Sequence, residues 1–426
     1  METVEKPTGH PTWARPLTLL VMISGLFGGL AGMHRHVTIT DFPIDMIIYL
    51  EGVRAFLSGG EMYAEPMFAG DLALPFIYPP FGALILAPFV WLGFSDSVAG
   101  DTLVLVSDLL ILLCLVFLLR AVMPQVSRPV RFAAAAVVWA LTMSFEPVTL
   151  NNGFAQINIV IMALVAMDLV PRRRHRFLPQ GWLTGVAAAI KLSPLAMALF
   201  FLVRRDWRAI LVTAVSAVVC TLLAAMWRFD ATVEFYLGTL LGMGSGEEIG
   251  VDTTYQSNSS IKGMLMRWAT SAEALEANST LVNVSWLVLS LLTVVLGGWL
   301  MAALFRRNMA VDAMLVNALV MLLVSPISWS HHWVWLVLIL PVLGWRALTV
   351  LNHGWFLGSV VTVWAVLLVT NPPKWWYGDA IDVFALTGVE KFLVSDFVWL
   401  AALTMLALAV GLRGVGTLDD AEPLPC

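Results

Sequence analysis

Asp45 stands in the run Asp41-Phe42-Pro43-Ile44-Asp45-Met46-Ile47-Ile48-Tyr49, at the head of a helix-forming stretch. A carboxylate there is favoured by the helix macrodipole, a purely structural role open equally to Asp41. The chemical alternative is a base at the lipid–water boundary that accepts a proton from an incoming hydroxyl. Lys191 is the costliest residue of the chain. It interrupts an apolar run in Ile190-Lys191-Leu192-Ser193-Pro194, where a lone ammonium costs on the order of 3 kcal/mol. It either snorkels to the membrane surface or binds an anion such as a lipid phosphate. Ser325-Pro326-Ile327-Ser328-Trp329-Ser330-His331-His332-Trp333 adds two histidines between apolar runs. Adjacent histidines point in different directions on a helix, which disfavours a shared metal ion and favours a proton acceptor or phosphate partner. Trp329 and Trp333 read as interfacial anchors or as sugar-stacking platforms.

Two further segments are polar beyond what their surroundings require. Asn151-Asn152-Gly153-Phe154-Ala155-Gln156-Ile157-Asn158 interrupts an apolar region, and amides there either glue helices together or bind sugar hydroxyls. Tyr255-Gln256-Ser257-Asn258-Ser259-Ser260 falls in a Gly- and Ser-rich stretch, near 242–263, that reads as a mobile loop. Asn258, Asn278 and Asn283 each open an Asn-x-Ser/Thr triplet, a motif too short to carry weight.

These residues must be positioned by membrane helices. Of 426 residues, 59% are hydrophobic and 12% charged, about half the charged fraction of a soluble protein. Mean hydropathy is +0.85. Lipid is therefore the solvent for much of the surface. A net charge of −5, with cations spread among short clusters, gives no sign of a nucleic-acid-binding surface. The three cysteines are Cys114, Cys220 and Cys426, which build neither a disulfide framework nor a zinc site. The first apolar run, near 17–33, lacks a cleavage site before His34-Arg35-His36 and reads as a retained helix.

Candidate spans fall near 16–33, 78–94, 101–119, 131–148, 153–170, 179–203, 209–227, 284–304, 310–326, 333–350, 355–370 and 396–413. Orientation follows Arg15, Arg120, Arg128, Arg131, Arg172 to Arg174, Arg176, Arg204, Arg205, Arg208, Arg306, Arg307, Arg346 and Arg413, all set on the cytoplasmic side. Parity then makes 78–94, with Pro79, Pro80 and Pro88, a non-crossing helix on the outer face. It also breaks 179–203 into a hairpin at Lys191, whose arms are each too short to cross. The expectation is an all-α polytopic protein of about twelve crossings with outer juxtamembrane helices. Residues 1–14 form a cytoplasmic tail, 15–413 a single membrane domain and 414–426 a second cytoplasmic tail. Its outer loops are 34–100, 228–283 and 371–395. The stretch Ile44 to Leu57, with Ile47, Ile48, Val53 and Phe56 as its apolar set, is expected to lie along the membrane surface. Asp45, Lys191, the histidines and the amides all map to the outer side under this topology.

An Asp-x-x-x-Tyr helix start, Tyr78-Pro79-Pro80-Phe81, Asn152-Gly153-x-x-Gln156-x-Asn158, Ile190-Lys191-x-x-Pro194 and Ser325-Pro326-x-Ser328-Trp329-x-His331-His332 occur in this order. Together they resemble the polyprenol-phosphate-mannose-dependent mannosyltransferases of mycobacteria and corynebacteria, C-type (GT-C) membrane glycosyltransferases. The amide turn departs from the tighter Gly-Gln pair more usual there. The resemblance implies Asp45 as the catalytic carboxylate and His331 as its partner. It implies donor contacts from Lys191, His332, Tyr49, Tyr78, Asn152, Gln156 and Asn158, and acceptor contacts from Gln256, Asn258 and Trp329. The substrates implied are polyprenyl-phosphate-mannose and a glycolipid acceptor, either a phosphatidylinositol mannoside or lipomannan and lipoarabinomannan, joined by an α-1,2 linkage. The site would face outward from a bacterial plasma membrane. A lipid monophosphate leaves readily once its charge is stabilised, so the chemistry requires no metal or other cofactor. Two other readings compete. One is an arabinofuranosyltransferase using decaprenyl-phosphate-arabinose. The other is a lipid flippase or transporter, disfavoured because the polar groups collect at one face and no inverted repeat is visible.

Overall fold

The computed structural model describes residues 14–39, 42–171, 178–240, 242 and 252–418. Asp41, the arginines at 172–174 and 176, and most of both terminal tails lie outside the described residues. Helices dominate in the order α1 (Ala14–Ile39), α2 (Ile44–Ser58), α3 (Pro80–Trp91), α4 (Asp96–Val122), α5 (Arg128–Thr142), α6 (Glu146–Gly153) and α7 (Asn158–Leu169). They continue with α8 (Trp182–Ile190), α9 (Leu199–Arg204), α10 (Trp207–Trp227), α11 (Phe229–Glu234), α12 (Ile261–Arg267) and α13 (Ala272–Ala277). The last are α14 (Ser279–Phe305), α15 (Ala310–Val324), α16 (Leu336–Thr349), α17 (Gly354–Thr370), α18 (Gly388–Val394) and α19 (Asp396–Gly411). Single 3-10 turns occupy Ser193–Ala198, Ser330–Trp335 and Pro373–Trp375. Strands β1 (Met67–Ala69) and β2 (Leu72–Leu74) form a small antiparallel hairpin, with Phe68 opposite Ala73. Three-residue strands carry too little hydrophobic pattern to be read from sequence.

Lipid-facing surface is written on the helices. Along α10, Leu211, Val215, Val218, Leu222 and Met226 are exposed, and along α14 so are Leu281, Val284, Val288, Leu291 and Val295. Apolar faces of this extent are not left to water. Among the described residues, six helices are long and apolar enough to cross a bilayer: Arg15–Ile39, Asp96–Val122, Trp207–Trp227, Ser279–Phe305, Ser330–Thr349 and Gly354–Trp375. Two bent pairs, α5 with α6 (68°) and α18 with α19 (69°), raise the number to eight if each is one broken span. The chain is thus a predominantly helical, multi-pass membrane protein. The twelve crossings expected from charge parity would require shorter apolar helices to cross as well, and stand as a proposal.

Helix pairs α1 with α5, α8 with α10, α14 with α15 and α16 with α17 form the main packing seams. Helices α15 and α16 are linked by a buried ion pair. Arg346 donates from Nε to Asp312 Oδ1 and from a terminal nitrogen to Oδ2, both at 3.0 Å. Removing one partner strands a charge in a low-dielectric interior. Arg346→Met is therefore expected to cost about 3–5 kcal/mol, measured as a lowered unfolding midpoint in detergent. The double variant Asp312→Leu/Arg346→Met is expected to recover most of the loss.

Several contacts fix the interruption at Lys191. Asp168 caps the start of α8, accepting from the backbone N–H of Gly181 (2.9 Å) and Thr184 (3.1 Å) and from the Thr184 hydroxyl (2.7 Å). A β-carbon at Gly185 would lie 2.4 Å from the Thr213 carbonyl oxygen, so only glycine permits this approach of α8 to α10. Lys191 itself is extended (φ −148°, ψ 133°), ending α8 one residue after Ile190. Pro194, which lacks a backbone donor, then starts the 3-10 turn.

Three expectations need correction. The apolar face of α2 is covered by α3 and β1 rather than by lipid, with Ile48, Tyr49, Val53 and Phe56 buried. Hydrophobicity alone does not tell a protein-facing stripe from a lipid-facing one. The described part of the stretch read as a mobile loop is packed: Gln256, Ser257, Asn258, Ser259 and Ser260 are all buried. Trp333 is no interfacial anchor, being fully buried against Trp364 and Phe397.

Candidate active site

Five segments distant in sequence converge in the site. The start of α2 brings Asp45 and Tyr49, and the approach to α3 brings Tyr78. The turn between α6 and α7 brings Gln156 and Asn158, and the break after α8 brings Lys191. The 3-10 turn at Ser330–Trp335 adds both histidines.

The backbone N–H of Asp45 donates to the Phe154 carbonyl (3.2 Å), tying α2 to the amide turn. Ala155 in that turn takes left-handed backbone (φ 51°), a conformation that costs a non-glycine residue on the order of 1 kcal/mol. The strained turn aims the Gln156 side chain into the cluster. Gln156 Oε1 accepts from the Tyr49 hydroxyl (2.6 Å), and its Nε2 donates to the Tyr78 hydroxyl (3.3 Å). Tyr49 and Tyr78 meet edge to face, ring centroids 4.9 Å apart, with their hydroxyls 2.9 Å apart. Burial pushes the Asp45 carboxyl up to about 6, against the pull of the neighbouring Gln156 amide and the positive charge of Lys191.

Lys191 is held on three sides. Its ammonium donates to Asn158 Oδ1 (2.8 Å), to His332 Nε2 (3.3 Å) and, at the limit of a hydrogen bond, to the Tyr78 hydroxyl (3.5 Å). It also sits 5.3 Å from the centre of the Tyr78 ring. Asn158 reaches on from its Nδ2 to the His331 carbonyl (3.3 Å). A neutral histidine accepting from the ammonium leaves the positive charge uncompensated at short range. His331 packs edge-on against Phe154 (5.5 Å) and His332 (4.8 Å). Neither of its ring nitrogens has a hydrogen-bond partner among the described residues. A small cavity beside this cluster is lined by the polar Asn158, Ser193 and His332 and by the apolar Ile161, Val165 and Met197. The assembly offers a carboxylate with a raised proton affinity, a fixed cation near it, and a partly apolar cavity alongside.

The structure thus gathers Asp45, Tyr49, Tyr78, Gln156, Asn158, Lys191, His331 and His332. It places His332, rather than His331, directly on the lysine. Asn152 lies elsewhere: its Nδ2 donates to Asp108 Oδ1 (2.8 Å) and lies 2.8 Å from His36 Nδ1, in a buried knot joining α1, α4 and α6. Gln256 donates to the Gly378 carbonyl (2.9 Å). Asn258 is spent on its own loop, donating to the Thr253 carbonyl (2.9 Å) and accepting from the Ser328 backbone N–H (3.0 Å). Trp329 packs near Tyr255, 6.3 Å between ring centres.

A second buried polar network escaped the sequence reading. The Ser330 hydroxyl donates to Glu146, 2.6 and 2.7 Å from its two carboxylate oxygens, and Trp375 Nε1 donates to the same carboxylate (2.7 Å). Lys374 pairs with Asp396 (3.1 Å) and reaches Ser259 (2.9 Å) and Ser330 (3.3 Å). The signal was present as Phe145-Glu146-Pro147 and Pro373-Lys374-Trp375-Trp376, charges set among aromatic and proline residues.

The family model for "Glycosyltransferase family 87" matches residues 76–326. The polyprenol-phosphate-mannose-dependent alpha-(1-2)-phosphatidylinositol mannoside mannosyltransferase of Mycolicibacterium smegmatis is 34% identical over 351 residues, 76% of this chain and 75% of that protein. The enzyme of the same name from Mycobacterium tuberculosis is 35% identical over 320 residues, 72% of each chain. The corresponding phosphatidylinositol pentamannoside mannosyltransferase of Mycolicibacterium smegmatis is 28% identical over 346 residues, 79% of each chain. With a family match that runs through the elements bearing Tyr78, Gln156, Asn158 and Lys191, and relatives aligned along about three quarters of their length, the chain belongs to glycosyltransferase family 87.

Proposed function

We propose that this enzyme transfers mannose from polyprenyl-phosphate-mannose to a phosphatidylinositol mannoside, forming an α-1,2 linkage on the extracytoplasmic face of the plasma membrane. The observation that carries the reading is the placement of Asp45 and Lys191 around one amide–tyrosine network, with a partly apolar cavity alongside. The relatives' names support mannose as the sugar and a phosphatidylinositol mannoside as acceptor. They favour that acceptor over lipomannan or lipoarabinomannan.

The reaction is a single displacement that inverts the anomeric carbon. Asp45 takes the proton of the acceptor hydroxyl as its oxygen bonds to that carbon. The bond from the anomeric carbon to the phosphate oxygen breaks, and polyprenyl phosphate leaves with both electrons. Lys191 stabilises the negative charge gathering on the phosphate, in a site where water does not screen it. His332 and Asn158 hold the ammonium, while Gln156, Tyr49 and Tyr78 orient the carboxylate. His331, whose ring nitrogens have no hydrogen-bond partner among the described residues, faces substrate hydroxyls. The isoprenoid chain lies beside Ile161, Val165 and Met197.

A base must be ionised to act. With the Asp45 carboxyl raised to about 6, kcat/KM is expected to fall below that pH and to reach a plateau above it. A pH–rate profile in nanodiscs checks this, and a flat profile between pH 5 and pH 7 contradicts it. Incubating the purified protein with polyprenyl-phosphate-mannose or decaprenyl-phosphate-arabinose, each with a phosphatidylinositol mannoside, tests the donor. Transfer from the arabinose donor alone overturns the mannose assignment, and transfer from neither overturns the function.

A further inference from the structure

Glu146 and three aromatic rings gather at Ser330, where the histidine turn begins. Tyr255, Trp329 and Trp375 come from three separate segments, and each is partly exposed. Tyr255 lies 6.3 Å from Trp329 and 6.0 Å from Trp375, centre to centre. Two carboxylates border the rings: Glu146 accepts from Trp375 Nε1 (2.7 Å), and Asp379 accepts from the Tyr255 hydroxyl.

Membrane proteins place many tryptophans at the headgroup level as anchors, and such rings are held chiefly by lipid. Trp376, 53% exposed, has that character. The three clustered rings are held by protein. Lys374, fully buried, locks the segment bearing Trp375 by an ion pair to Asp396 and bonds to Ser259 and Ser330. Gln256 ties the segment bearing Tyr255 to the Gly378 carbonyl (2.9 Å). An isolated bridge pairs Asn258 with Trp329. Rigid rings beside carboxylates form a surface for a flat, polyhydroxylated ligand: the ring faces take its C–H side and the carboxylates accept from its hydroxyls. The charge also separates the two clusters: behind the rings the cations Lys374 and Arg267 face the carboxylates Asp396 and Glu146, whereas Lys191 has only neutral hydrogen-bond partners and is the cation left to attract a phosphate.

We infer that Tyr255, Trp329 and Trp375, with Glu146 and Asp379, form a subsite for the mannosyl headgroup of the acceptor glycolipid. The inference rests on the proposed mannosyl transfer. It adds to Gln256 and Asn258 the rings their segments hold in place: Gln256 donates to the Gly378 carbonyl, and Asn258 accepts from the Ser328 backbone N–H. Trp329 precedes Ser330-His331-His332 directly, so a headgroup on the rings lies beside the proposed catalytic groups. The subsite then selects acceptors by their mannose count.

The test uses the full-length enzyme in nanodiscs at saturating donor, with a phosphatidylinositol mannoside carrying several mannoses and with octyl α-mannoside. Trp375→Ala is expected to lower kcat/KM for the longer acceptor on the order of tenfold. Donor KM and the octyl mannoside rate should stay within about twofold, and Trp376→Ala should match wild type on both acceptors. An unchanged longer-acceptor KM, an equal loss on both acceptors or a loss in donor KM would overturn the subsite. Tyr255→Leu, which keeps the Trp375–Glu146 bond, is read the same way if Trp375→Ala does not fold. Calorimetric titration with a soluble mannobioside and no donor separates this inference from the proposed reaction. Binding by wild type and its loss in Trp375→Ala supports the subsite even if no transfer occurs, and equal binding by both overturns it.

Discussion

Asp45→Asn is expected to lower kcat by about 10²–10⁴-fold, the usual worth of a positioned general base. Donor affinity should stay close to wild type, because the amide occupies the volume of the carboxylate and Lys191 keeps its charge and its bonds to Asn158 and His332. Tyr49 and Tyr78 still hold Gln156 in place beside it. What disappears is the lone pair that receives the acceptor proton. Stopped turnover with retained donor binding therefore marks a proton acceptor, and loss of both marks a role in folding or donor binding. Turnover equal to wild type would remove Asp45 from the chemistry.

Lys191→Ala is expected to act first on the donor. Its ammonium, at the break after α8, has neutral partners in Asn158, His332 and Tyr78, so its positive charge is available to an anion. Deleting it should raise donor KM and lower kcat/KM on the order of 10²–10³-fold, comparable to loss of a donor that stabilises transition-state charge. Lys191→Arg should recover only part of this. A planar guanidinium is longer and cannot reproduce a point charge seated 2.8 Å from Asn158 Oδ1. Initial rates against donor concentration at fixed acceptor measure both variants. An effect confined to acceptor KM would take Lys191 out of the phosphate site.

Membrane character and the interruption at Lys191 were legible in the sequence because each follows from one physical rule. Apolar runs need lipid, and a lysine followed by Ser193-Pro194 cannot sit in a continuous apolar helix. Asp45, Gln156, Asn158 and the histidines were legible as polar groups with no solvent to justify them. Their convergence depends on long-range packing, and so does the choice of His332 for Lys191. The number of crossings was harder to read, since α7 and α15 are apolar yet only 12 and 15 residues long. Amides mislead most. Asn152, Gln256 and Asn258 have the composition of a sugar site, yet the NH2 groups of all three are turned to His36, Asp108 and backbone carbonyls. Glu146 and Lys374 show the converse: each sits in a short aromatic or proline-rich phrase, and their bonds to Ser330 and Ser259 each bridge more than a hundred residues.

The central claim, mannosyl transfer at a site formed by Asp45 and Lys191, is tested most directly by following product mass in one experiment. Wild type, Asp45→Asn and Lys191→Ala are reconstituted in parallel with polyprenyl-phosphate-mannose and a phosphatidylinositol mannoside. The account predicts a product one hexose heavier, joined by an α-1,2 linkage, from wild type. It predicts no detectable product from Asp45→Asn and only slow formation, improved by excess donor, from Lys191→Ala. Equal product from all three proteins would contradict it.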